Sequence, residues 1–177
     1  MRLLLLSLAL IALSCSSDIS TGDSDILPPA GDPGFEDSPS LTGEDADLNN
    51  LALALVNTQR AQGCRCGNQQ MPAVPTLRVN SRLFSAAQSH SDDMQAMNDM
   101  RHLGSDGTQV GERVTREGYT WRAVGENIAR GFTSIEQVVE AWFDSPGHCQ
   151  NLMSPNFTEI ALARTNTFWT QVLAAPR

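Results

Sequence analysis

Residues 125–151 read GENIARGFTSIEQVVEAWFDSPGHCQN, the segment around which the fold is built. Ser134 and Gln137 within it have the spacing of a helix capping box. Apolar residues then recur on one helical face, namely Ile135, Val138, Val139, Trp142 and Phe143. The segment therefore predicts a capped amphipathic helix that buries this face against a sheet or another helix.

Two residues with functional side chains flank this helix. Glu126 lies in a short segment between the turn residues Gly125 and Gly131. His148 directly follows the turn signal Ser-Pro-Gly at residues 145–147. We therefore expect both side chains to lie in ordered loops at helix ends, where binding and catalytic residues are often found.

The charge of the chain is unevenly distributed. The sequence has 177 residues, 41% apolar content and a formal net charge of -8. Nine of the 20 acidic residues, and no basic residue, lie in residues 16–47, whereas residues 48–177 contain eleven acids and eleven arginines. A near-neutral folded part lacks the basic surface of a nucleic-acid-binding protein.

The first residues have the pattern of an export signal. Arg2 is followed by an apolar run that is too short to span a membrane. The run ends in Ala-Leu-Ser-Cys at residues 12–15, which resembles a bacterial lipobox. We therefore predict a signal peptide over residues 1–14 and a lipid anchor on Cys15, the only membrane attachment expected. Cleavage by the ordinary signal peptidase would instead release a secreted protein.

The remaining chain divides into a tether and one domain. Residues 15–47 are rich in Ser, Asp, Gly and Pro and predict an acidic disordered tether. The domain, residues 48–177, has helical patterns at 48–62, 80–97 and 109–117, followed by strand patterns at 157–163 and 168–173. Helices followed by a hairpin predict an α+β fold with a mainly antiparallel sheet. On the second helix, His90 lies on the apolar stripe and is interpreted as a hydrogen-bonded core residue.

The domain contains a series of short motifs in a fixed order, namely AQSHSDDM at 87–94, HLGSDG at 102–107, GENIA at 125–129, AWF at 141–143, SPGH at 145–148, NLM at 151–153, NFTEI at 156–160 and WTQV at 169–172. In this order and spacing they resemble the CAP superfamily of cysteine-rich secretory, antigen 5 and pathogenesis-related proteins, with its bacterial SCP-like relatives. That resemblance implies a three-layer α-β-α sandwich around a central sheet.

The resemblance also implies a cleft. His102, His148 and Glu126 match three members of the family's group of two histidines and two glutamates, which binds a divalent metal in some proteins. Ser145, beside the more solvent-facing Asp144, stands where the second glutamate is expected. Asn127 and Ser145 are the further residues assigned to the cleft.

Three interpretations of His102, Glu126 and His148 remain open at the level of sequence. The three residues could form a hydrogen-bonded structural cluster or a metal site without chemistry, with zinc as the candidate cofactor. They could also form a hydrolytic site that uses metal-bound water or a general base.

The cysteines favour a disulfide over a nucleophile. Cys149 lies beside His148, but neighbouring residues on a turn diverge and exported thiols are usually oxidised. With Cys15 lipidated or removed, three cysteines remain. We predict a Cys66–Cys149 bond, with Cys64 as the alternative partner and one thiol left over.

Two functions are consistent with these residues. The first is a monomeric binding module of the bacterial cell envelope that holds a lipid, a glycan or an envelope protein. The alternative is a metal-assisted envelope hydrolase acting on peptide, peptidoglycan or ester bonds.

Overall fold

The computed structural model describes residue 41 and residues 43–177. The predicted signal peptide, Cys15 and most of the acidic tether lie outside the described residues. Within the described part, no helix combines the length and the apolar character needed to cross a membrane.

Strands β1 (Cys64–Cys66) and β2 (Gln69–Met71) form a small separate hairpin. The other strands, β3 (Arg78–Val79), β4 (Trp121–Arg130), β5 (Glu159–Thr165) and β6 (Phe168–Pro176), form a four-stranded sheet that is the middle layer. Their order in the sheet is β3-β5-β6-β4. Strand β6 is antiparallel to both of its neighbours, while the short β3 is parallel to β5. The predicted terminal hairpin is confirmed, and β4 forms one edge of the sheet.

Helices cover both faces of the sheet. They are α1 (Gly43–Gln62), α2 (Ser81–Met97), α3 (Val110–Arg116), α4 (Ile135–Asp144) and α5 (Pro146–Leu152). Ser134 caps α4 by accepting a hydrogen bond from the backbone N–H of Gln137, as the capping-box spacing predicts. Asn80 caps α2 in the same way. Both predicted helices are thereby confirmed.

Alternation along β5 and β6 divides the apolar core in two. Ile160 and Leu162 pack with α1 and α4 on one face, whereas Ala161 and Ala163 pack with α2 and α3 on the other. The predicted α+β fold, a three-layer α-β-α sandwich with a mainly antiparallel central sheet, is therefore confirmed.

A buried arginine connects helix α1 to the loop before β3 and to the end of helix α5. Arg60 of α1 is fully buried and donates to the backbone oxygens of Pro75, Leu152 and Ser154. Carbonyl oxygens with no partner in a strand or helix thereby gain a donor, which offsets the cost of burying them.

Four local expectations differ from the structure. Helix α1 begins at Gly43, so the last acidic residues assigned to the tether form its first turns, where acids favour a helix. The predicted loop after Gly63 contains a two-stranded hairpin, β1 (Cys64–Cys66) and β2 (Gln69–Met71). Glu126 lies inside strand β4, and His148 lies on helix α5, so neither is in a loop.

Candidate functional site

Glu126 is the centre of a buried polar cluster. It lies midway along the edge strand β4 and pairs in register with Val172 of β6. Its side chain is directed to the α2 and α3 face, because it shares strand parity with Val124 and Ile128, whose contacts are on that face. The neighbouring Asn127 consequently points to the α4 and α5 face.

Arg113 of helix α3 neutralises Glu126. Its Nη2 atom lies 2.6 Å from Oε2 of Glu126, and the arginine side chain is only 6% exposed. The same guanidinium donates to the backbone oxygens of His102 and Thr108. Arg113 thus satisfies the buried carboxylate and fixes the loop that carries His102. No pattern in the sequence indicates this role, because a single arginine on a short helix usually faces solvent.

His102 occupies the other oxygen of Glu126. Its Nδ1 atom lies 2.8 Å from Oε1, and its side chain is 59% exposed. This hydrogen bond is the main cause that raises the pKa of His102 above its ordinary value, against a smaller opposing effect of burial. The Nε2 atom makes no hydrogen bond to the described part of the chain, so it is available to a ligand.

His90 of helix α2 is the third residue close to Glu126. It is fully buried on α2, and its Nε2 atom lies 3.0 Å from the backbone oxygen of Arg101 and 3.8 Å from Oε1 of Glu126. Burial lowers the pKa of His90, which favours its neutral form, and a carbonyl oxygen at this distance requires Nε2 to be the donor. Its Nδ1 atom has no hydrogen-bond partner among the described residues. The prediction of a hydrogen-bonded core histidine is confirmed.

His148 approaches the cluster from the opposite face of the sheet. Pro146 is the first residue of α5, which places His148 in the first turn of that helix. Its backbone oxygen accepts from Asn127 Nδ2 at 3.3 Å. Burial lowers the pKa of His148, and the charge of His102 lowers it further. The two imidazoles therefore interact electrostatically around the edge strand.

The other residues assigned to the cleft have structural contacts. Asn127 is fully buried and hydrogen-bonds to Gln171 and Asn151, which ties β4 to β6 and α5. Ser145 ends α4 and precedes α5, and its side chain caps neither helix. Asp144 is exposed, as helical geometry predicts.

As arranged, His102, Glu126 and His148 do not fit a metal ion. Both carboxylate oxygens of Glu126 are engaged by Arg113 and His102, and a guanidinium 2.6 Å away repels a cation. Within residues 43–177, only one group of three or more His, Cys, Asp or Glu side chains has its ligand atoms within 4.8 Å of one another. That group consists of three cysteines. The metal hypothesis for this cleft stays a prediction, and no chemical step is derived from it.

Two spaces flank helix α3. One is an open, mainly apolar groove of about 700 Å³, which includes Val110, Trp121 and Val124. The other is a polar cavity of about 200 Å³, which includes His90 and Arg113. Val124 and Glu126 lie two residues apart on the same face of β4, so the groove adjoins the polar cluster.

The cysteine prediction is resolved in favour of its first pairing. Cys66 and Cys149 form a disulfide that joins β1 to α5, and Cys64 is a free, partly exposed thiol. Burial raises the pKa of the Cys64 thiol, which opposes formation of the thiolate. Because Cys149 is bonded, it is not a nucleophile in this state.

Residues 45–172 match the cysteine-rich secretory protein family, CAP. Among curated proteins, the chain is 31% identical over 105 residues to the uncharacterised protein YkwD of Bacillus subtilis, covering 58% of this chain and 41% of YkwD. It is 27% identical over 82 residues to the uncharacterised membrane protein YlbC of B. subtilis, covering 46% of this chain and 24% of YlbC. The chain thus spans less than half the length of these relatives.

Solved structures show the same fold. An extracellular protein of Bacillus anthracis containing an SCP domain superposes with a TM-score of 0.64 at 25% identity, covering 77% of this chain and 45% of that one. An outer surface protein of Borrelia burgdorferi superposes with a TM-score of 0.61 at 18% identity, covering 78% of this chain and 97% of that one. Both are, by name, extracellular or outer surface proteins. The family match over residues 45–172 shows that the chain belongs to the cysteine-rich secretory protein (CAP) family.

Proposed function

We propose that the domain is a non-catalytic binding module of the bacterial cell envelope. The observation that carries this proposal is the state of Glu126, whose oxygens accept from Arg113 at 2.6 Å and His102 at 2.8 Å. A guanidinium buried against this carboxylate repels a metal cation, and both carboxylate oxygens already accept a hydrogen bond. The role of Glu126 is to hold His102 in one orientation, with Nε2 toward the surface.

The charges of the two cleft histidines support a ligand with an anionic group. The pKa of His102 is raised and that of His148 is lowered, so near neutral pH His102 is the more readily protonated of the pair. A protonated imidazole donates a charge-assisted hydrogen bond to a carboxylate or phosphate. The exposed side of His102 therefore suits an anionic head group.

The groove beside the cluster supports an apolar portion of the same ligand. Its lining combines the apolar side chains of Val110, Trp121 and Val124 with polar groups that include Glu112 and Arg116. Its volume of about 700 Å³ matches ordinary ligand sites. A groove that adjoins the cluster holding His102 suits an amphiphile. Of the lipid, glycan and protein ligands considered, this arrangement favours a lipid.

Quenching of tryptophan fluorescence tests this proposal. Trp142 and Trp169 are fully buried, whereas Trp121 is partly exposed in the groove. A brominated fatty acid added to the full chain should quench the Trp121 signal, and its methyl ester should bind more weakly because it lacks the carboxylate. His102→Ala should weaken binding, while the exposed Arg122→Ala, as a matched control on β4, should not. Equal affinity for acid and ester, or no quenching, would contradict the proposal.

One observation favours the alternative of an envelope hydrolase. A histidine whose Nδ1 is held by a carboxylate and whose Nε2 is free has the arrangement of a general base. Release of soluble fragments from purified peptidoglycan by the wild-type chain, and loss of this release in His102→Ala, would support the hydrolase. Zinc titration of the same two proteins tests the predicted metal.

Export and anchoring are a separate part of the proposal. The extracellular and outer surface relatives support an extracytoplasmic location. The lipid anchor rests on Cys15 of the lipobox-like motif. Cys15→Ala should move the protein from the membrane fraction to the soluble fraction, and a variant that stays with the membrane would contradict the anchor.

A further inference from the structure

Three sulfur atoms meet between hairpin β1–β2 and helix α5. The Sγ atom of the free Cys64 lies 3.7 Å from Sγ of Cys149 and 4.0 Å from Sγ of Cys66. Cys64 and Cys66 are two residues apart on β1, so both side chains are on the same face of that strand and meet α5. Cys149 adjoins the cleft residue His148 on α5, but the three sulfurs do not contact His102 or Glu126, and the proposed function does not use them.

Contacts other than the disulfide also hold the three sulfurs in place. Met71, Met153 and Val74 pack around them as a small apolar cluster. At Gly67, a Cβ atom would lie 2.9 Å from Cγ of Pro146, so the turn of the hairpin sits directly against the start of α5. The backbones that carry the cysteines are therefore in contact through residues other than cysteine.

The spacing of the sulfurs matches a thiolate metal site. With zinc–sulfur bonds of about 2.3 Å, the sulfur–sulfur edges of a tetrahedral site are about 3.8 Å. The two non-bonded separations, 3.7 Å and 4.0 Å, bracket this value. Reduction of the disulfide lets Cys66 and Cys149 move apart to non-bonded contact, which would complete a triangle of similar edges.

We propose that Cys64, Cys66 and Cys149 form a redox-gated site for a thiophilic divalent cation of the zinc class. A dithiol reductant converts the Cys66–Cys149 disulfide to two thiols and is itself oxidised to a disulfide. The cation then displaces one proton from each of the three thiols and binds the three sulfurs. Cys64 is partly exposed, so the fourth position of the tetrahedron opens to water on its side. In the oxidised protein, Cys66 and Cys149 are bonded to each other, so only Cys64 is left as a thiol ligand and the cation does not bind.

Cobalt titration tests this site directly. The full chain carrying Cys15→Ala, which has only the three relevant thiols, is reduced with a phosphine, freed of reductant under nitrogen and titrated with Co²⁺. We expect a near-ultraviolet sulfur-to-cobalt charge-transfer band that saturates at one equivalent and disappears when Zn²⁺ is added. The oxidised protein should show no band.

Cys64→Ser supplies the decisive variant, because it keeps the Cys66–Cys149 disulfide for folding and removes one ligand. We expect loss of the charge-transfer band after reduction, whereas His102→Ala should keep the band. Absence of a band in the reduced protein would overturn the proposal, as would an unchanged band in Cys64→Ser or loss of the native circular dichroism on reduction. Loss of the band in His102→Ala would likewise overturn it, because the thiolate site would then depend on a residue outside it.

Discussion

Two buried glutamates on the two strands that flank β6 have different partners. Glu126 on β4 is held by the buried Arg113 and by His102, with His90 nearby. Glu159 on β5 accepts from Arg78 at 2.8 Å, from Tyr119 at 2.5 Å and from Asn80 at 3.2 Å. Both carboxylates are satisfied as buried charges must be.

The difference lies in whether the partners titrate near neutral pH. Burial raises the pKa of Tyr119, so it remains a donor throughout the physiological range, and Arg78 stays charged. The partners of Glu126 include two histidines whose pKa values are shifted in opposite directions. The first carboxylate therefore belongs to a pH-sensitive site, while the second is a permanent structural contact.

The largest expected effect is from Glu126→Gln. This change leaves Arg113, only 6% exposed, without its counter-charge, and breaking a buried pair in this way costs about 3–5 kcal/mol. Urea denaturation of the full chain measures the loss. The double variant with Arg113→Met should recover part of it, because it removes the unpaired charge. A double variant less stable than Glu126→Gln would contradict this account.

Glu159→Gln should cost less, about 1–3 kcal/mol, because it mainly weakens hydrogen bonds from Tyr119 and Asn80. Its cationic partner Arg78 is 62% exposed, so water can solvate the guanidinium when the carboxylate is lost. The same urea series measures this loss. If Glu159→Gln lowered the free energy of unfolding as much as Glu126→Gln does, burial of the arginine partner would not explain the difference between the two sites.

The cost of Glu126→Gln should also depend on pH. The folded-state pKa of His102 is raised by Glu126, so the stability that this pair contributes is fully present below the ordinary histidine pKa of about 6.5 and is lost as pH rises through the raised value. The free-energy cost of Glu126→Gln should therefore be larger at about pH 5.5, below the ordinary histidine pKa, than at about pH 8.5. Denaturation at both pH values measures this, with Glu159→Gln as the control whose cost stays flat.

The smallest effect concerns the coupling of the two cleft histidines. Part of the lowering of the His148 pKa comes from the charge of His102. In His102→Ala the pKa of His148 should rise toward its ordinary value, and in Glu159→Gln it should not move. Titration of the histidine ring protons by NMR measures both values. An unchanged His148 pKa in His102→Ala would mean that the charge of His102 does not act on His148 across β4.

Regular elements were predictable from the sequence wherever one local signal dominated. Ser134 and the apolar face of α4 predicted that helix, and Asn80 marks the start of α2. The hairpin β5–β6 followed from its strand patterns and short turn. In each case propensity, capping and burial favour the same structure.

The environment of the site was less predictable. The sequence predicts a turn at Gly125, yet a Cβ there would lie 2.9 Å from Cζ of Phe157, so this glycine allows close packing inside a strand. Pro146 belongs to the predicted turn signal at residues 145–147, yet it is the first residue of helix α5. The pairing of Arg113 with Glu126 joins α3 to β4, and no local pattern specifies such a contact.

The position of β6 has a consequence for the synthesis of the protein. This strand pairs with both β4 and β5, yet it follows every other described element along the chain. The ribosome must therefore complete β6 before the sheet can form. Until then, the edges of β4 and β5 that pair with β6 have no strand partner. Until β6 is made, the domain cannot reach its native fold, and a protein-conducting channel requires such an unfolded state of a chain proposed to be exported.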